Sequence, residues 1–269
     1  MSFDFTGQHV FVAGGTSGIN LGVALGFAEA GAKVSVLSRS ADKVEAAVAK
    51  LRATRAGAEA RGWAADVREQ PAVEAALIQA KEAFGTIDVL VSGAAGNFPA
   101  PAAAISPKGF RSVVEIDLVG TFHVLRTALP HLTQPGASVI NIGAPQAYVP
   151  MELQMHVCAA KAGVDMVTRV AALEWGQLGI RVNTVSPGPI AGTEGVARLA
   201  PTEELQKLVA ETVPLGRFGT TRDIAAMCMF LSSPMASYVT GAVIPVDGGW
   251  GLGGASASVG ILKKAFAGG

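Results

Sequence analysis

Short runs of β-branched residues alternate with alanine-rich helical segments along almost the whole chain of 269 residues. The runs that predict strands are 9–13, 33–38, 62–66, 88–92, 138–142, 181–186 and 242–246. The segments with helical periodicity are 18–30, 41–55, 71–84, 106–131, 153–178 and 221–232. This alternation is typical of repeated βαβ units. It predicts an α/β fold with a mainly parallel, doubly wound sheet of seven strands and helices on both faces.

No linker, charge block or internal repeat divides the chain into two parts. The Pro/Gly-rich segment 186–195 directly follows a predicted strand, a position that favours an active-site loop over a domain linker. We therefore expect residues 1–269 to form one domain.

The charges exclude some classes of partner. Twenty-one basic residues balance 21 acidic ones, so no net field attracts nucleic acid or an anionic membrane. The long uncharged stretches are interrupted by Pro, Gly, Asn or Ser, which argues against a membrane span. The two cysteines, Cys158 and Cys228, lack metal-site spacing, so no metal site is predicted. Without a secretory or peroxisomal address, we expect a cytoplasmic protein.

A glycine-rich loop, residues 14–19 (Gly-Gly-Thr-Ser-Gly-Ile), joins the first predicted strand to the first helix. In this context glycines let the backbone approach a pyrophosphate at a helix N-terminus. A tight turn without a ligand is the alternative. Asn20 stands where the usual spacing has a third glycine, which puts the packing of the helix against the sheet in question.

The end of the second predicted strand bears on which dinucleotide the loop would hold. An acidic residue here would bind the ribose hydroxyls of NAD, but the chain has Leu-Ser-Arg-Ser at 37–40. Arg39 and the hydroxyl of Ser40 suit a 2′-phosphate, and this predicts NADPH. The alternative is an exposed loop arginine. Asp66 either accepts from the adenine amino group or caps the following helix.

With these motifs, the chain resembles the short-chain dehydrogenase/reductase family over nearly its full length. Further markers are Asp66-Val67, the Ser-Gly-Ala-Ala-Gly segment 92–96, Lys161, Pro187-Gly188 and the closing segments 238–241 and 247–249. Within the family it is most similar to peroxisomal-type 2,4-dienoyl-CoA reductases, through segments 94–98, 153–156, 174–176 and 187–195. The resemblance implies a Rossmann fold, a nicotinamide cofactor and a homotetramer assembled through the long helices near 106–131 and 153–178.

Two positions depart from the family pattern. The family's usual general acid is a tyrosine four residues before the lysine, where this chain has Val157, and the assisting serine is replaced by Ala144. Tyr148 lies 13 residues before Lys161 and Tyr238 near the last strand, so neither tyrosine occupies the expected position. Ordinary carbonyl reduction needs a phenol to protonate a developing alkoxide, so it is poorly provided for.

The resemblance assigns catalytic roles to Asp117 and Lys161. Reduction of a dienoyl-CoA sends a hydride to a conjugated carbon, spreads negative charge onto the thioester oxygen and returns a proton to carbon. Our hypothesis is that Asp117 and Lys161 organise the water that protonates the dienolate. The alternatives are a helix-kink role for Asp117 and an exposed helical lysine. His156 would assist only if it is not structural, and Asp247 either reaches the site or forms a turn.

Acyl-CoA is the partner that the resemblance implies, with contacts from Arg68, Phe98 and Arg198. Cations suit the CoA phosphates, and an aromatic ring suits the acyl or pantetheine stem. Each of the three also has an ordinary explanation as a solvated base or a core aromatic. The pair Lys263-Lys264 is better explained as solubilising than as a CoA contact.

The sequence therefore predicts an NADPH-dependent 2,4-dienoyl-CoA reductase of unsaturated fatty acid β-oxidation. One alternative is a reductase of another acyl thioester or carbonyl compound with Tyr148 as the acid, and another is a non-catalytic NADPH-binding protein. The predicted cofactor residues are Gly14, Thr16, Ser17, Gly18, Ile19, Arg39, Ser40, Asp66, Val67, Ala94, Lys161, Pro187, Gly188 and Ile190.

Overall fold

The structure, a computed structural model, describes residues 3–267, with side chains as far as residue 261. The side chains of Lys263 and Lys264 lie outside this described part. The strands are β1 (His9–Ala13), β2 (Lys33–Ser38), β3 (Ala60–Ala64), β4 (Val89–Ser92), β5 (Ser138–Ile142), β6 (Arg181–Pro187) and β7 (Val243–Val246). The helices are α1 (Gly18–Glu29), α2 (Ala41–Arg52), α3 (Gln70–Phe84), α4 (Pro107–Val114), α5 (Gly120–Ala128), α6 (Met155–Trp175), α7 (Glu194–Leu199), α8 (Glu203–Glu211), α9 (Thr221–Ser232) and α10 (Gly254–Ala267).

All seven strands belong to one parallel sheet in the order β3-β2-β1-β4-β5-β6-β7. Ala13 pairs in register with Leu37 on one side and Ser92 on the other, so three strands end at the same level. The strand order reverses between β1 and β4, and ligands bind at this place in open α/β sheets. The predicted fold class is confirmed.

Side chains alternate between the two faces of the central strands and build a core on each. Val10 and Val12 of β1 pack with Phe27 of α1 and Ile224 of α9. Phe11 and its neighbours on the other face pack with α3 and α5. Since both faces are covered, the central strands β1, β4 and β5 are buried along their whole length. No helix in the described part of the chain is long and apolar enough to cross a membrane.

Two predicted boundaries are wrong. The third strand ends at Ala64, so Asp66 follows it by two residues instead of closing it. The helix predicted over 106–131 is interrupted by a π-helical turn, Glu115–Val119, between α4 and α5. A π turn inserts one extra residue into the helix and rotates the side chains around it, a device frequent at functional sites. Here it carries Asp117.

Three helices in the C-terminal half of the chain were not predicted. Helices α7 and α8 follow the loop 188–193, and α10 follows β7. Thr193 and Thr202 cap α7 and α8 by accepting the backbone N–H of Val196 and Leu205. These Thr-x-x signals start helices too short for hydrophobic periodicity to reveal.

A buried histidine joins β1 to β2 at the end of the sheet opposite the cofactor loop. His9 is 1% exposed. Its Nδ1 lies 2.9 Å from the carbonyl of Gly85, so this nitrogen carries the proton, and Nε2 at 2.8 Å accepts from the Ser35 hydroxyl. Burial lowers the pKa of His9, opposed by the Gly85 carbonyl and by Asp88. The folded protein therefore favours the neutral ring.

We expect His9 to make the stability of the protein pH-dependent. Because the pKa of His9 is lower in the folded than in the unfolded state, the unfolded chain takes up a proton as pH falls through about 6.5, and the free energy of unfolding decreases. The variant His9→Gln should be less stable by about 1–3 kcal/mol at neutral pH. Its urea-unfolding curve should approach that of the wild type towards about pH 5. A constant difference across this range would contradict the assignment, and His123→Gln, which removes a half-buried histidine, provides the comparison.

Candidate active site

A cavity of about 440 Å³ opens at the carboxyl ends of the strands, over the point where the strand order reverses. It is continuous from the glycine-rich loop to helices α7, α8 and α10. Its lining includes every predicted cofactor residue except Ser40. The side chain of Ser40 instead accepts the backbone N–H of Lys43 and caps α2.

The glycine-rich loop has the geometry that a pyrophosphate needs. Gly14 has φ +81°, and a Cβ atom there would lie 2.8 Å from the backbone nitrogen of Ala94. Gly18 has φ +53° and begins α1, and the side chain of Ser17 makes no capping bond to the helix. The N–H groups of the first turn of α1 therefore remain available to an anion. These residues fit the phosphates of a dinucleotide.

Asn20 supplies a contact between α1 and β4 in place of the third glycine. Its amide nitrogen donates to the carbonyl of Gly93 at 2.7 Å. A Cβ atom at Gly93 would collide with the Asn20 side chain, so the glycine and the asparagine are matched. The packing question that the sequence raised is answered by this hydrogen bond.

Basic side chains gather where the ribose of the cofactor would lie. Arg39 and Lys43 both line the cavity beside Ser38 at the end of β2. Asp66 also lines it, but the guanidinium of Arg68 lies 2.6 Å from its carboxylate and lowers its pKa. Asp66 accepts the backbone N–H of Arg68 as well. Arg68 is absent from the described cavity lining, so its predicted contact with CoA gains no support.

Asp117 and Lys161 form an ion pair that borders the cavity. The Lys161 ammonium lies 3.5 Å from Oδ2 of Asp117, and both side chains are at least 93% buried. Lys161 also donates to the carbonyl of Ile142 at 2.9 Å, and Oδ1 of Asp117 accepts the N–H of Gly96 at 2.7 Å. The structure thus brings together the two predicted catalytic residues. Asp117 lies in the π turn and accepts a backbone N–H, which agrees with the helix-kink alternative.

Burial raises the pKa of Asp117, although Lys161 and the Gly96 N–H oppose the shift. One helical turn beyond Lys161, burial raises the pKa of Asp165 to about 6, against the charges of Arg169 and Lys161. A raised carboxyl pKa keeps the protonated form present closer to neutral pH. A single buried lysine is therefore flanked by two carboxyl groups that protonate more readily than usual.

The position of the family's tyrosine is apolar here. Val157 and Ala144 line the cavity where the resemblance placed the tyrosine and serine. Tyr148 is absent from the described lining, and its hydroxyl lies 3.3 Å from Oγ of Ser186. Burial raises the pKa of the Tyr148 phenol, which makes it a weaker acid. Asp247 accepts the N–H groups of Gly249 and Gly251 and is a turn residue.

Of the two remaining predicted substrate residues, Phe98 is absent from the described cavity lining, although its neighbours Asn97 and Pro99 belong to it. Arg198 lines the cavity, but its guanidinium is already bonded to the carbonyl of Asn97 and to Glu194. Phe98 packs edge-to-face on His156, with 4.2 Å between ring centroids. His156 is fully buried and burial lowers its pKa. Both ring nitrogens of His156 are buried without a hydrogen-bond partner among the described residues.

The far end of the cavity is mainly apolar, and α10 contributes Ser258 and Val259 to its lining. Its lining there comprises Met151, Leu199, Val209, Phe218, Trp250, Ser258 and Val259. Oγ of Ser258 lies 2.6 Å from Oγ1 of Thr212 and accepts from Nε1 of Trp250 at 2.9 Å. These bonds fix α10 on the C-terminal end of α8. Apolar walls with few polar groups suit an aliphatic chain.

Sequence reasoning missed several polar residues of the site. Gln146 and Gln154 both line the cavity, and Nε2 of Gln146 donates to Oε1 of Gln154 at 2.9 Å. Asp165 could have been found from its spacing of four after Lys161, which places both on one helical face. Gln154 lies in the segment 153–156 that carries the resemblance, but nothing in the sequence marks Lys43 or Gln146. The described residues contain no group of three His, Cys, Asp or Glu side chains that could hold a metal ion.

The comparisons with known proteins agree with this geometry. A family model described as enoyl-(acyl carrier protein) reductase matches residues 13–251. The chain is 43% identical to a protein of Rattus norvegicus and 41% identical to one of Arabidopsis thaliana, both named peroxisomal 2,4-dienoyl-CoA reductase, (3E)-enoyl-CoA-producing. These alignments cover 89% and 90% of this chain and 82% and 84% of the relatives.

A solved structure, a short-chain type dehydrogenase/reductase from Mycobacterium ulcerans, superposes with a TM-score of 0.86 at 33% identity. The superposition covers 94% of this chain and 92% of that one. Family model, relatives and structural neighbour thus each match most of the chain. The chain belongs to the short-chain dehydrogenase/reductase family, whose members are oxidoreductases that use nicotinamide cofactors.

Proposed function

We propose that the protein reduces 2,4-dienoyl-CoA thioesters to enoyl-CoA with NADPH. The observation that carries the proposal is the buried Asp117–Lys161 pair beside Val157. A site built for ordinary ketones needs a phenol near the hydride acceptor, and this cavity has an apolar side chain there. The names of the rat and Arabidopsis relatives support the same reaction.

NADPH is the cofactor that the basic end of the cavity favours. Arg39 and Lys43 offer two cations to a 2′-phosphate, and no carboxylate lies at the end of β2. Asp66 is already bonded to Arg68. When bound, the reduced nicotinamide would supply a hydride to the conjugated chain.

The protein's own residues would stabilise the negative charge of the intermediate and supply its proton. Hydride addition at the distal end of the diene moves an electron pair towards the thioester oxygen, and one proton must then reach carbon. Burial favours a protonated Asp117, and the Lys161 ammonium lies 3.5 Å from Oδ2 of the same carboxyl group. We infer that the two residues bind and orient a water that delivers this proton. The product then carries one hydride and one proton more than the dienoyl substrate.

The apolar end of the cavity supports an acyl chain as substrate. The thioester would lie near Lys161 and the chain would extend towards Val209 and Val259. Arg198 would have to exchange its bond to Asn97 or Glu194 to meet a CoA phosphate. Its role in CoA binding stays a proposal, as does the participation of this activity in unsaturated fatty acid β-oxidation.

We also propose a homotetramer that assembles through α5 and α6. These helices expose large apolar side chains, among them Phe122, Met166 and Leu173, which is 81% exposed. Contiguous apolar side chains on helix surfaces are typical of subunit contacts. A cytoplasmic location remains a prediction, and the rat and Arabidopsis relatives are named peroxisomal.

The reaction is tested by NADPH oxidation with 2,4-hexadienoyl-CoA, acetoacetyl-CoA and 2-hexenoyl-CoA. We expect turnover of the dienoyl thioester alone, because no phenol lies beside the hydride acceptor in the described cavity. Turnover of acetoacetyl-CoA alone would support instead a carbonyl reductase that uses Tyr148. Tight NADPH binding without any turnover would support the non-catalytic alternative.

Asp117→Asn tests the proton donor. The amide keeps the size of the side chain but carries no acidic proton, so kcat should fall by about 10²–10⁴-fold. NADPH binding and KM should stay near wild-type values. Since the pKa of Asp117 is raised, wild-type kcat should decline as pH rises and the carboxyl deprotonates. The variant should lack this decline, and unchanged turnover would exclude the role of Asp117.

Arg39→Ala tests the choice of cofactor. Removing a charge-assisted contact to the 2′-phosphate should raise the Kd of NADPH by about 10- to 100-fold and leave that of NADH nearly unchanged. Both constants can be measured by nucleotide fluorescence titration. Arg61→Ala, which removes an exposed arginine outside the cavity, should change neither. An equal rise in Kd for both nucleotides would show that Arg39 does not contact the 2′-phosphate.

A further inference from the structure

The proposed reaction places negative charge on the thioester oxygen, yet most donors of the family pattern are missing. Val157 and Ala144 carry no donor, and in the proposed reaction Asp117 serves the proton transfer to carbon. Lys161 directs its ammonium to the Ile142 carbonyl and to Asp117. A transition state with charge on oxygen is stabilised by preorganised donors in a water-poor site, so another donor is expected in this cavity.

Gln154 has an unused donor at the right place. The residue is 1% exposed and lines the cavity together with Lys161 and Asp117. Its Oε1 accepts a hydrogen bond from Gln146, which orients the carboxamide. Its Nε2 is buried and has no hydrogen-bond partner among the described residues. A buried amide nitrogen without an acceptor destabilises a protein, so its presence in a cavity points to a ligand acceptor.

The backbone around Gln154 holds the side chain in place. Leu153 has φ +67°, a conformation that L-residues rarely adopt outside functional sites. Its carbonyl accepts the N–H of Ala100, and the carbonyl of Gln154 accepts the N–H of Cys158 in the first turn of α6. The residue is therefore anchored on both sides, and its donor is fixed before substrate arrives.

We propose that the carboxamide N–H of Gln154 donates to the thioester oxygen of the acyl-CoA and stabilises the charge that develops there. Gln146 is a positioning residue in this proposal, because its amide donates to Oε1 of Gln154. The proposal rests on the proposed function, since it needs a thioester substrate. It extends that function to a catalytic residue in direct contact with the reacting group.

The variants Gln154→Met and Gln154→Glu test the proposal. Methionine keeps the shape of the side chain without a donor, and glutamate replaces the donor by an acceptor. Each should lower kcat by about 10²–10³-fold, with KM and the Kd of NADPH within about threefold of wild type. Gln146→Leu should cause a smaller loss. Gln79→Leu should have no effect, because it removes an exposed glutamine of α3 whose side chain accepts a hydrogen bond from Trp63.

A second measurement does not depend on turnover. Bound to the NADP⁺ complex, 2,4-hexadienoyl-CoA cannot be reduced, and a donor at its thioester oxygen should shift its ultraviolet absorption to longer wavelength. Wild type should show the shift, and folded Gln154→Met should bind the thioester without it. Thermal unfolding identifies any variant that fails to fold. If one of the two Gln154 variants does not fold, the other tests the proposal.

The outcomes separate this proposal from the proposed function. If wild type reduces the dienoyl thioester while both Gln154 variants keep kcat and the spectral shift, Gln154 is not the donor and the reaction assignment stands. If wild type neither binds nor reduces it, both proposals fail. A loss of kcat and of the shift, with binding retained, supports Gln154.

Discussion

The ion pair between Asp117 and Lys161 determines what the rest of the site has to provide. Two charges withdrawn from water need further hydrogen bonds, or their desolvation outweighs their attraction. Those bonds come from separate parts of the fold: the Ile142 carbonyl at the end of β5 and the Gly96 N–H after β4. The pair therefore depends on the alignment of the strand ends.

The π turn shows how local structure and charge are coupled. In an uninterrupted helix over 106–131, the side chains after Asp117 would point in other directions relative to those before it than they do here. The extra residue in Glu115–Val119 lets α4 and α5 each pack on their own neighbours while Asp117 faces Lys161. Thr121 secures the turn by donating to the carbonyl of Asp117. The energetic cost of an irregular turn is offset by these contacts and by the packing of both helices.

Much of the fold and the cofactor end of the site could be predicted, because their signals are local. Hydrophobic periodicity located the seven strands, and the loop around Gly14 needs only the residues beside it. Other features depend on partners distant in sequence: the irregular turn at Asp117, the positive φ of Leu153 and the contact of Phe98 with His156. The orientation of Gln154 likewise depends on Gln146, whose hydrogen bond no pattern announces.

Helix α10 contributes to the apolar end of the cavity but not to the Asp117–Lys161 pair. The family model ends at residue 251, whereas Ser258 and Val259, which line the apolar end of the cavity, lie beyond it. No strand and no member of the Asp117–Lys161 pair belongs to this helix. Under the proposed function, a substitution of Ser258 or Val259 would change the space for the acyl chain and leave the Asp117–Lys161 pair in place. Under that function, the preference for acyl-chain length and the reaction itself depend on separate parts of the chain.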